Sequence, residues 1–304
     1  MNGGMVIFEK PNLQQPSMVV GFSGWLDGGE ASTGTVEYLI KKLSPKPFAS
    51  IPVDDYGVFQ VPGIEVVRPH VKTRDGVVEE VSFPKNELFY WKKPRSSKGS
   101  DLILLLGTEP NTRWQDYIRS VINLALEFRV KRLFSFGGVL AKAPHTKEPI
   151  VSCSVSDAKL KEVVSSYAVQ FSNYEGPATF NSAVVAACKE KGIDAIHMTA
   201  RALYYPEFNI AVPHNPKVIF ALVRRLNRLL NLKLDLSDLE QESRELEDRL
   251  NSLVSQSAPL RDYVRELEES YQELRFEDSA EAAPEDLIKG VEEFLRRQRE
   301  TDDS

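Results

Sequence analysis

The chain has 304 residues, of which 42% are hydrophobic and 27% are charged, and its formal net charge is −6. This composition predicts a soluble globular protein of one or two domains, and no apolar run approaches the roughly 20 residues that a membrane-spanning helix needs. The N-terminus lacks a basic stretch followed by an apolar one, which argues against a secretory signal; we therefore expect a cytoplasmic protein that does not contact membranes.

The first 230 residues alternate short apolar runs with helical patterns. Six runs are predicted strands: Met18–Phe22, Ala49–Val53, Leu102–Gly107, Leu133–Phe136, Ile150–Val155 and Ala195–Thr199. Residues 102–107 read LILLLG, a run that is typical of a central strand buried on both faces. Strands that alternate with helices predict a three-layer α/β sandwich with a mixed, largely parallel sheet.

Three local signals mark further elements of this region. Asp75-Gly76 predicts the turn of a β-hairpin. A helix is predicted from Trp114 onward, because apolar residues recur behind it at helical spacing. Another helix is predicted to begin at Asn215-Pro216, where a capping residue precedes a proline at the first helical position.

Residues 231–304, here called the tail, differ in charge from residues 1–230, here called the body. The tail has 10 basic and 22 acidic residues, whereas the body has 28 basic and 22 acidic residues. This asymmetry predicts two regions with different surfaces, and the small, diffuse positive charge of the body argues against nucleic-acid binding. We therefore divide the chain into a sandwich domain, 1–230, and an acidic helical extension, 231–304.

The tail contains three predicted amphipathic helices. The apolar stripes of the first two consist of Leu236, Leu239, Leu246, Leu250 and Leu253, and of Leu260, Tyr263, Val264, Leu267, Tyr271 and Leu274. The third helix is predicted to begin at Pro284, followed by acidic residues that favour a helix start. Because these stripes are too narrow for a sizeable core of their own, we expect them to pack against one another and partly against the body or a neighbouring subunit.

The segment GFSGWLDGGEAS, residues 21–32, joins the first predicted strand to a helix. Asp27 stands three residues before Glu30, the spacing of a capping box in which Asp27 accepts a backbone N–H and Glu30 reaches back to the cap. Gly28 and Gly29 leave the first turn bare, so that another segment or a ligand can approach closely. The glycine spacing matches neither the dinucleotide fingerprint nor the phosphate loop, and a carboxylate at the helix N-terminus occupies the donors that a phosphate needs.

Catalytic and metal-binding patterns are weak. Ser23 and Ser135 lie at predicted strand ends, but neither completes the G-x-S-x-G pattern, and no His–acid partner is identifiable from the sequence. Cys153 and Cys188 are 35 positions apart without CxxC spacing, which predicts two reduced thiols. The histidines show no metal-ligand spacing such as HExxH, so we expect neither a metal nor a cofactor.

A pocket at the carboxyl ends of the strands is a second place to look for function, since open α/β sheets bind ligands there. The candidate ligand or partner residues are Trp25, Asp27, Gly28, Gly29, Glu30, Glu109, Arg113, Trp114 and His145. Of these, Glu109 and Arg113 are expected to form an ion pair at a helix start, Trp114 to pack in the core, and His145 to titrate near neutral pH.

Three functions follow from these observations. The first is a binding and assembly protein, which we favour over an enzyme. The second is a small-molecule binder or a hydrolase-like or phosphorylase-like enzyme that uses the strand-end pocket. The third is a structural oligomer whose acidic tail contacts another subunit.

Several segments resemble the proteasome assembly chaperone 2 family. GFSGWLDGGEASTGTVEYL resembles the first motif of that family, GTEPNTRW (107–114) its second and GGVLAKAPHTKEP (137–149) its third, with Lys147 where the family usually has Arg. The similarity continues through HMTARALYYPE (197–207). In the tail, 264–274 and 285–298 look like the helical extension of the actinobacterial-type members.

The resemblance implies a sandwich like that of the nucleoside phosphorylases, with the helical extension packed on it and self-association into oligomers. It implies no established enzymatic activity for the bacterial members. The eukaryotic relative works in a heterodimer that templates assembly of the proteasome α-ring, and some archaeal relatives bind proteasomes through a C-terminal hydrophobic-Tyr-any-residue tail. This chain ends Thr301-Asp302-Asp303-Ser304, so we expect a protein partner, proteasome-related, that is not bound by that tail route.

Overall fold

The computed structural model describes residues 4–53, 70–82, 86–94 and 99–272. Its strands are β1 (Val6–Ile7), β2 (Ser17–Ser23), β3 (Lys46–Ile51), β4 (His70–Arg74), β5 (Val77–Ser82), β6 (Asn86–Trp91), β7 (Leu102–Thr108), β8 (Arg132–Ala141), β9 (Val151–Val155), β10 (Val169–Phe171), β11 (Asp194–Tyr205) and β12 (Ile210–Ala211). Its α-helices are α1 (Ala31–Leu43), α2 (Trp114–Glu127), α3 (Leu160–Val164), α4 (Phe180–Glu190), α5 (Pro216–Leu229), α6 (Ser237–Ser255) and α7 (Ala258–Glu269).

The central sheet is mixed and largely parallel, as predicted. Its strand order is β1-β3-β6-β7-β2-β8-β11-β9-β10, with β12 paired to β11. The four central strands, β7, β2, β8 and β11, are mutually parallel. Antiparallel pairing begins on either side of them, between β6 and β7 and between β9 and β11.

Helices cover both faces of the sheet and produce the predicted three layers. Along β2, Met18, Val20 and Phe22 point into a core shared with α2 and α4, whereas Val19 points into the core beneath α1 and α5. This alternation follows from the two-residue period of a strand. Along β7, Ile103 and Leu105 join the first core and Leu102 and Leu104 the second, which confirms the predicted strand buried on both faces.

Local sequence signals explain several element boundaries. The Asn215 side chain accepts hydrogen bonds from the backbone N–H groups of Lys217 and Val218, so the predicted cap of α5 is confirmed. Asp75 and Gly76 have positive φ angles of 49° and 79° and join β4 to β5, as the Asp-Gly signal predicts. Ser135 differs from its prediction: β8 continues to residue 141, so this serine lies within the strand and is fully buried.

The described part of the tail packs as predicted, against itself and against the body. Leu239 of α6 joins the core beneath α1 and α5. Residues of α6 and α7 form a further cluster with the end of β11, consisting of Leu203, Tyr205, Leu246, Leu250, Leu260 and Val264. The third predicted tail helix, from Pro284, lies outside the described residues, and no helix in the described ranges is long and apolar enough to cross a membrane.

Candidate functional site

A cavity of about 1050 Å³ lies at the carboxyl ends of the parallel strands. It forms at the ends of the adjacent strands β2 and β7, where the chain leaves the sheet toward opposite faces. The helix that follows β2 covers one face of the sheet, and the helix that follows β7 covers the other. Such a point opens a crevice between the two departing loops, where α/β proteins bind ligands. We call it the strand-end cavity; it is bordered by residues 23–30, 106–108 and 138–140 and by parts of α1, β9 and β11.

The loop after β2 crosses the end of β8 at very short range. A Cβ atom on Gly138 would lie 2.0 Å from the carbonyl oxygen of Gly28, so glycine is required there. The Gly138 N–H donates to the Leu26 carbonyl at 2.9 Å, and Gly29 has a φ of +69° that suits glycine. Gly28 and Gly138 therefore serve close packing of backbone on backbone, and Gly29 serves the left-handed turn.

Asp27 caps α1, in a geometry that differs from the predicted capping box. Its Oδ1 accepts the N–H groups of Ser32 at 2.7 Å and Thr33 at 3.1 Å, and its Oδ2 accepts the Thr33 hydroxyl at 2.6 Å. A single 3-10 turn, Gly28–Glu30, separates the aspartate from the helix, so its backbone donors, at Ser32 and Thr33, lie further along the chain than the donors of a capping box. Burial raises the pKa of Asp27 to about 7, although these three donors act to lower it.

Glu30 is not the reciprocal partner that the capping box predicts. It adopts the left-handed conformation with φ of 52°, and its Oε2 lies 2.6 Å from Nδ1 of His214. Its carboxylate therefore turns away from Asp27 toward the loop before α5. Glu30 and Asp27 both line the strand-end cavity, together with Gly28, Gly29 and Trp25.

Glu109 supports this loop from below without lining the cavity. Its carboxylate accepts the Trp25 N–H at 3.1 Å and the Phe180 N–H, and its own N–H donates to the Ser23 carbonyl at 2.8 Å. A Cβ on Gly24 would lie 2.7 Å from the Glu109 side chain, which explains the glycine. Burial raises the pKa of Glu109.

Arg113 and Trp114 also lie outside the cavity lining. The sequence prediction paired Arg113 with Glu109, whereas the structure pairs it with Asp116 at 2.9 Å in the first turn of α2. Trp114 packs edge-on against Phe180 at 5.5 Å, and its Nε1 donates to the Pro110 carbonyl at 2.6 Å. The prediction that Trp114 contributes to the core is therefore confirmed.

His145 lies at a different place, between the body and the tail. Its backbone N–H donates to the Tyr205 hydroxyl at 3.0 Å, its Nδ1 lies 2.9 Å from the same hydroxyl, and its Nε2 lies 3.0 Å from Oδ1 of Asn251 in α6. An amide oxygen only accepts, so Nε2 carries the proton and Nδ1 accepts from the tyrosine. Burial lowers the pKa of His145, which favours the neutral form of the ring.

The residues after His145 also bind the tail to the body. The Thr146 hydroxyl donates to the Glu268 carboxylate of α7. The Tyr271 hydroxyl donates to the Glu148 carbonyl at 2.5 Å and accepts the Ile150 N–H at 2.9 Å. The loop after β8 thus holds both tail helices, a role that sequence reasoning missed because each partner is more than a hundred residues away.

The floor of the cavity contains a buried histidine that sequence reasoning also missed. His197 of β11 lies between two hydroxyls, with Nδ1 2.8 Å from Oγ of Ser135 and Nε2 2.8 Å from Oγ1 of Thr199. Burial lowers its pKa to about 4, so it is uncharged at neutral pH. The sequence did offer one signal: His197 and Thr199 are two residues apart in a predicted strand, so their side chains lie on the same face of the sheet.

Exposed apolar side chains surround the opening of the cavity. Four lining residues are both large and exposed: Trp25 (58%), Tyr174 (70%), Val139 (44%) and Leu140 (40%). They come from the loop after β2, the end of β8 and the segment before α4. We call these four residues the apolar rim.

The described residues give no sign of a metal centre. No group of three or more His, Cys, Asp or Glu side chains within the described ranges is placed to hold an ion. Cys153 and Cys188 are both free and buried, as predicted, and burial raises the pKa of each thiol to about 12.

Comparison with known proteins assigns the family. The model of the PAC2 family matches residues 21–254, most of the chain. This chain belongs to the PAC2 family. A comparison with functionally curated proteins gave no significant match.

Solved structures of PAC2 proteins agree with this assignment. A proteasome-assembly chaperone homologue from Mycobacterium tuberculosis is 28% identical, with a TM-score of 0.70 over 82% of this chain and 99% of its own. A PAC2 family protein from Streptomyces avermitilis is also 28% identical, with a TM-score of 0.69 over the same shares. An archaeal proteasome activator from Pyrococcus furiosus, 22% identical with a TM-score of 0.62 over 83% of this chain and 99% of its own, shares the fold.

In this PAC2 protein the three motifs have separate structural roles. The first, at 21–32, forms a wall of the strand-end cavity. The second, at 107–114, supports that wall through Glu109. The third, at 137–149, contributes Val139 and Leu140 to the apolar rim and then holds the tail.

Proposed function

We propose that this PAC2 protein is a non-catalytic, assembly-chaperone-like protein that binds a protein partner at the apolar rim. The observation that carries the proposal is the clustering of Trp25, Tyr174, Val139 and Leu140, all exposed, around one opening. Large apolar side chains grouped on a surface mark protein-interaction sites, and aromatic residues are enriched at the centres of interfaces.

The nature of the partner follows from the relatives. Two structural neighbours are named as a proteasome-assembly chaperone homologue and an archaeal proteasome activator. We therefore propose a proteasome-related partner, contacted through the body rather than through the C-terminal residues, for a homo-oligomer acting in the cytoplasm.

Two features support a non-catalytic role. Asp27, a cavity carboxyl whose pKa burial raises to about 7, already accepts three hydrogen bonds from the start of α1. His197 is buried between two hydroxyls and has no carboxylate among its hydrogen-bond partners in the described structure. A general base needs an acceptor directed at the substrate, and hydrogen bonds within the protein already occupy most of the acceptor positions of Asp27 and both ring nitrogens of His197.

Binding to purified proteasome α-subunits from the same organism tests this proposal. We expect the unaltered chain to bind in analytical ultracentrifugation, and the Trp25→Ala/Tyr174→Ala variant to lose at least tenfold in affinity. Leu126→Ala is the matched control, because Leu126 is exposed to 46% on α2, outside the cavity lining. Equal affinity of the rim variant and the control would refute the proposed surface.

A second candidate function is binding or conversion of a small molecule in the cavity. It is favoured by the hydroxyl groups of the lining, which include Ser23, Thr108, Ser152, Ser154 and Thr199. The volume of about 1050 Å³ lies at the upper end of small-molecule pockets, which supports a larger partner instead. We expect no phosphate-dependent cleavage of purine or pyrimidine nucleosides; turnover that Thr199→Val abolishes would establish the enzyme.

A further inference from the structure

We propose that the strand-end cavity receives a partner segment in which a lysine or arginine side chain is flanked by apolar residues. This inference rests on the proposed function and specifies the chemistry of the partner. The basic side chain enters the cavity along α1, and its apolar neighbours contact the rim.

The acidic side chains of the cavity wall favour a positively charged partner segment. The described lining contains Asp27, Glu30 and Glu37 and neither lysine nor arginine. His197, on the floor, adds no positive charge at neutral pH because burial lowers its pKa to about 4. His214 lies 2.6 Å from Glu30 and its charge acts on Glu37, but the described cavity lining itself offers an anionic segment no lysine or arginine, whereas a cationic segment is attracted to the carboxyls.

The acidic groups follow one side of the cavity. Glu30 immediately precedes α1 in the left-handed conformation, and Thr33 and Glu37, four residues apart, share one face of the helix; all three line the cavity. Burial raises the pKa of Asp27 and of Glu37, and the negative charge of Glu30 raises each of them further.

The rim supplies the second half of the recognition. Trp25 is exposed and lies in the same loop as Asp27, so its ring is available beside the acidic wall. A lysine or arginine side chain passing over an indole gains a cation–π contact, and its methylene groups cover apolar surface. Tyr174, Val139 and Leu140 are then free to contact apolar residues on either side of the basic one.

Charge also argues against the end of this chain as the occupant. Residues 273–304 contain 5 basic and 11 acidic residues. A segment with this excess of negative charge is repelled by the acidic wall of the cavity. A separate protein with a basic segment fits the cavity better.

Peptide binding to the full chain tests the inference. The probes are fluorescein-labelled heptapeptides, acetyl-Gly-Leu-Phe-X-Phe-Leu-Gly-amide, in which X is arginine, lysine, norleucine or glutamate. We expect fluorescence anisotropy to show the arginine and lysine peptides binding at least tenfold more tightly than norleucine, with glutamate weakest. Norleucine keeps the length and apolar character of lysine without its charge, so it isolates the contribution of charge.

Two variants locate the effect. Glu30→Gln/Glu37→Gln should reduce binding of the arginine peptide to the norleucine level while leaving norleucine binding unchanged. Glu162→Gln/Glu190→Gln removes the same charge from α3 and α4, outside the cavity lining, and should leave all four affinities unchanged. Equal effects of the two double variants would show long-range attraction only and overturn the inference.

The remaining outcomes separate this inference from the proposed function. If all four peptides bind alike while α-subunits still bind in a Trp25-dependent manner, the basic-segment inference is wrong and the proposed function stands. If spermidine competes with the arginine peptide at equal concentration, the cavity is a small-cation site and the inference is overturned. If removal of residues 273–304 strengthens peptide binding tenfold, the chain's own end is the occupant and the inference is overturned.

Discussion

Substitution of Asp27 by alanine should destabilise the protein. The change removes the acceptor of three hydrogen bonds at the start of α1, two of them from backbone N–H groups that have no helical partner. Loss of an N-terminal capping side chain costs about 0.5–2 kcal/mol of the free energy of unfolding. Asp27→Ser keeps a side-chain acceptor and should restore most of that stability.

The same carboxyl predicts a pH dependence with a defined sign. The folded-state pKa of Asp27 is raised from 3.8 to about 7, so the folded chain holds this proton more tightly than the unfolded chain. Its contribution to stability is therefore fully present below about pH 4 and is lost as the pH rises through about 7. Between pH 5 and pH 8 the loss is about 2–3 kcal/mol by linkage, an upper limit because relaxation and water access reduce it.

Urea unfolding at pH 5 and pH 8 measures this contribution. Asp27→Asn and Asp27→Ser lack the titrating group, so the difference in unfolding free energy between either variant and the unaltered chain isolates Asp27 from every other carboxyl. We expect that difference to move by about 2–3 kcal/mol in favour of the variants from pH 5 to pH 8. A difference that is the same at both pH values would refute the reasoning.

Further predictions concern the tail and the loop that carries Trp25. Asn251→Ala leaves the buried Nε2–H of His145 without its acceptor, which should lower the free energy of unfolding by about 1–3 kcal/mol. Amide hydrogen exchange in α6 should become faster, and unchanged exchange would contradict the role of His145 in holding α6 on the body. A chain of residues 1–230 should stay folded by circular dichroism, since every described strand precedes residue 230, but it should aggregate in light scattering because Leu203 and Tyr205 become exposed. A monodisperse 1–230 beside a cooperatively melting 231–304 would show that the tail is independent of the body. Glu109→Ala should weaken partner binding through Trp25 more than Glu109→Gln, which retains an acceptor for the Trp25 N–H, and equal binding by the two would contradict that support.

The fold was predictable from sequence because its signals are local. The run at 102–107 and the pair Asn215-Pro216 each specify an element within a few residues. The division of the chain at residue 230 stays a prediction, because it concerns independent folding rather than contacts.

The candidate site was predictable only in part, because its contacts are distant in sequence. Asp27 was correctly interpreted as a cap, since its donors lie five and six residues away. Glu30 was not, because its partner His214 is 184 residues away. His145 was assigned to the pocket from its residue type alone, and only the fold shows that Asn251, 106 residues later, is its partner.

Strand β11 has a consequence for how two bound proteins would be arranged. One part of this continuous strand, at His197 and Thr199, lines the cavity, and another, at Leu203 and Tyr205, carries the tail helices. Residues 197 and 205 are about 26 Å apart at 3.3 Å per residue, and the strand is hydrogen-bonded to its neighbours through most of that length. A protein held at the cavity and a second one held by the tail would therefore be kept at a fixed separation and orientation, so that the sheet itself sets the geometry of the pair.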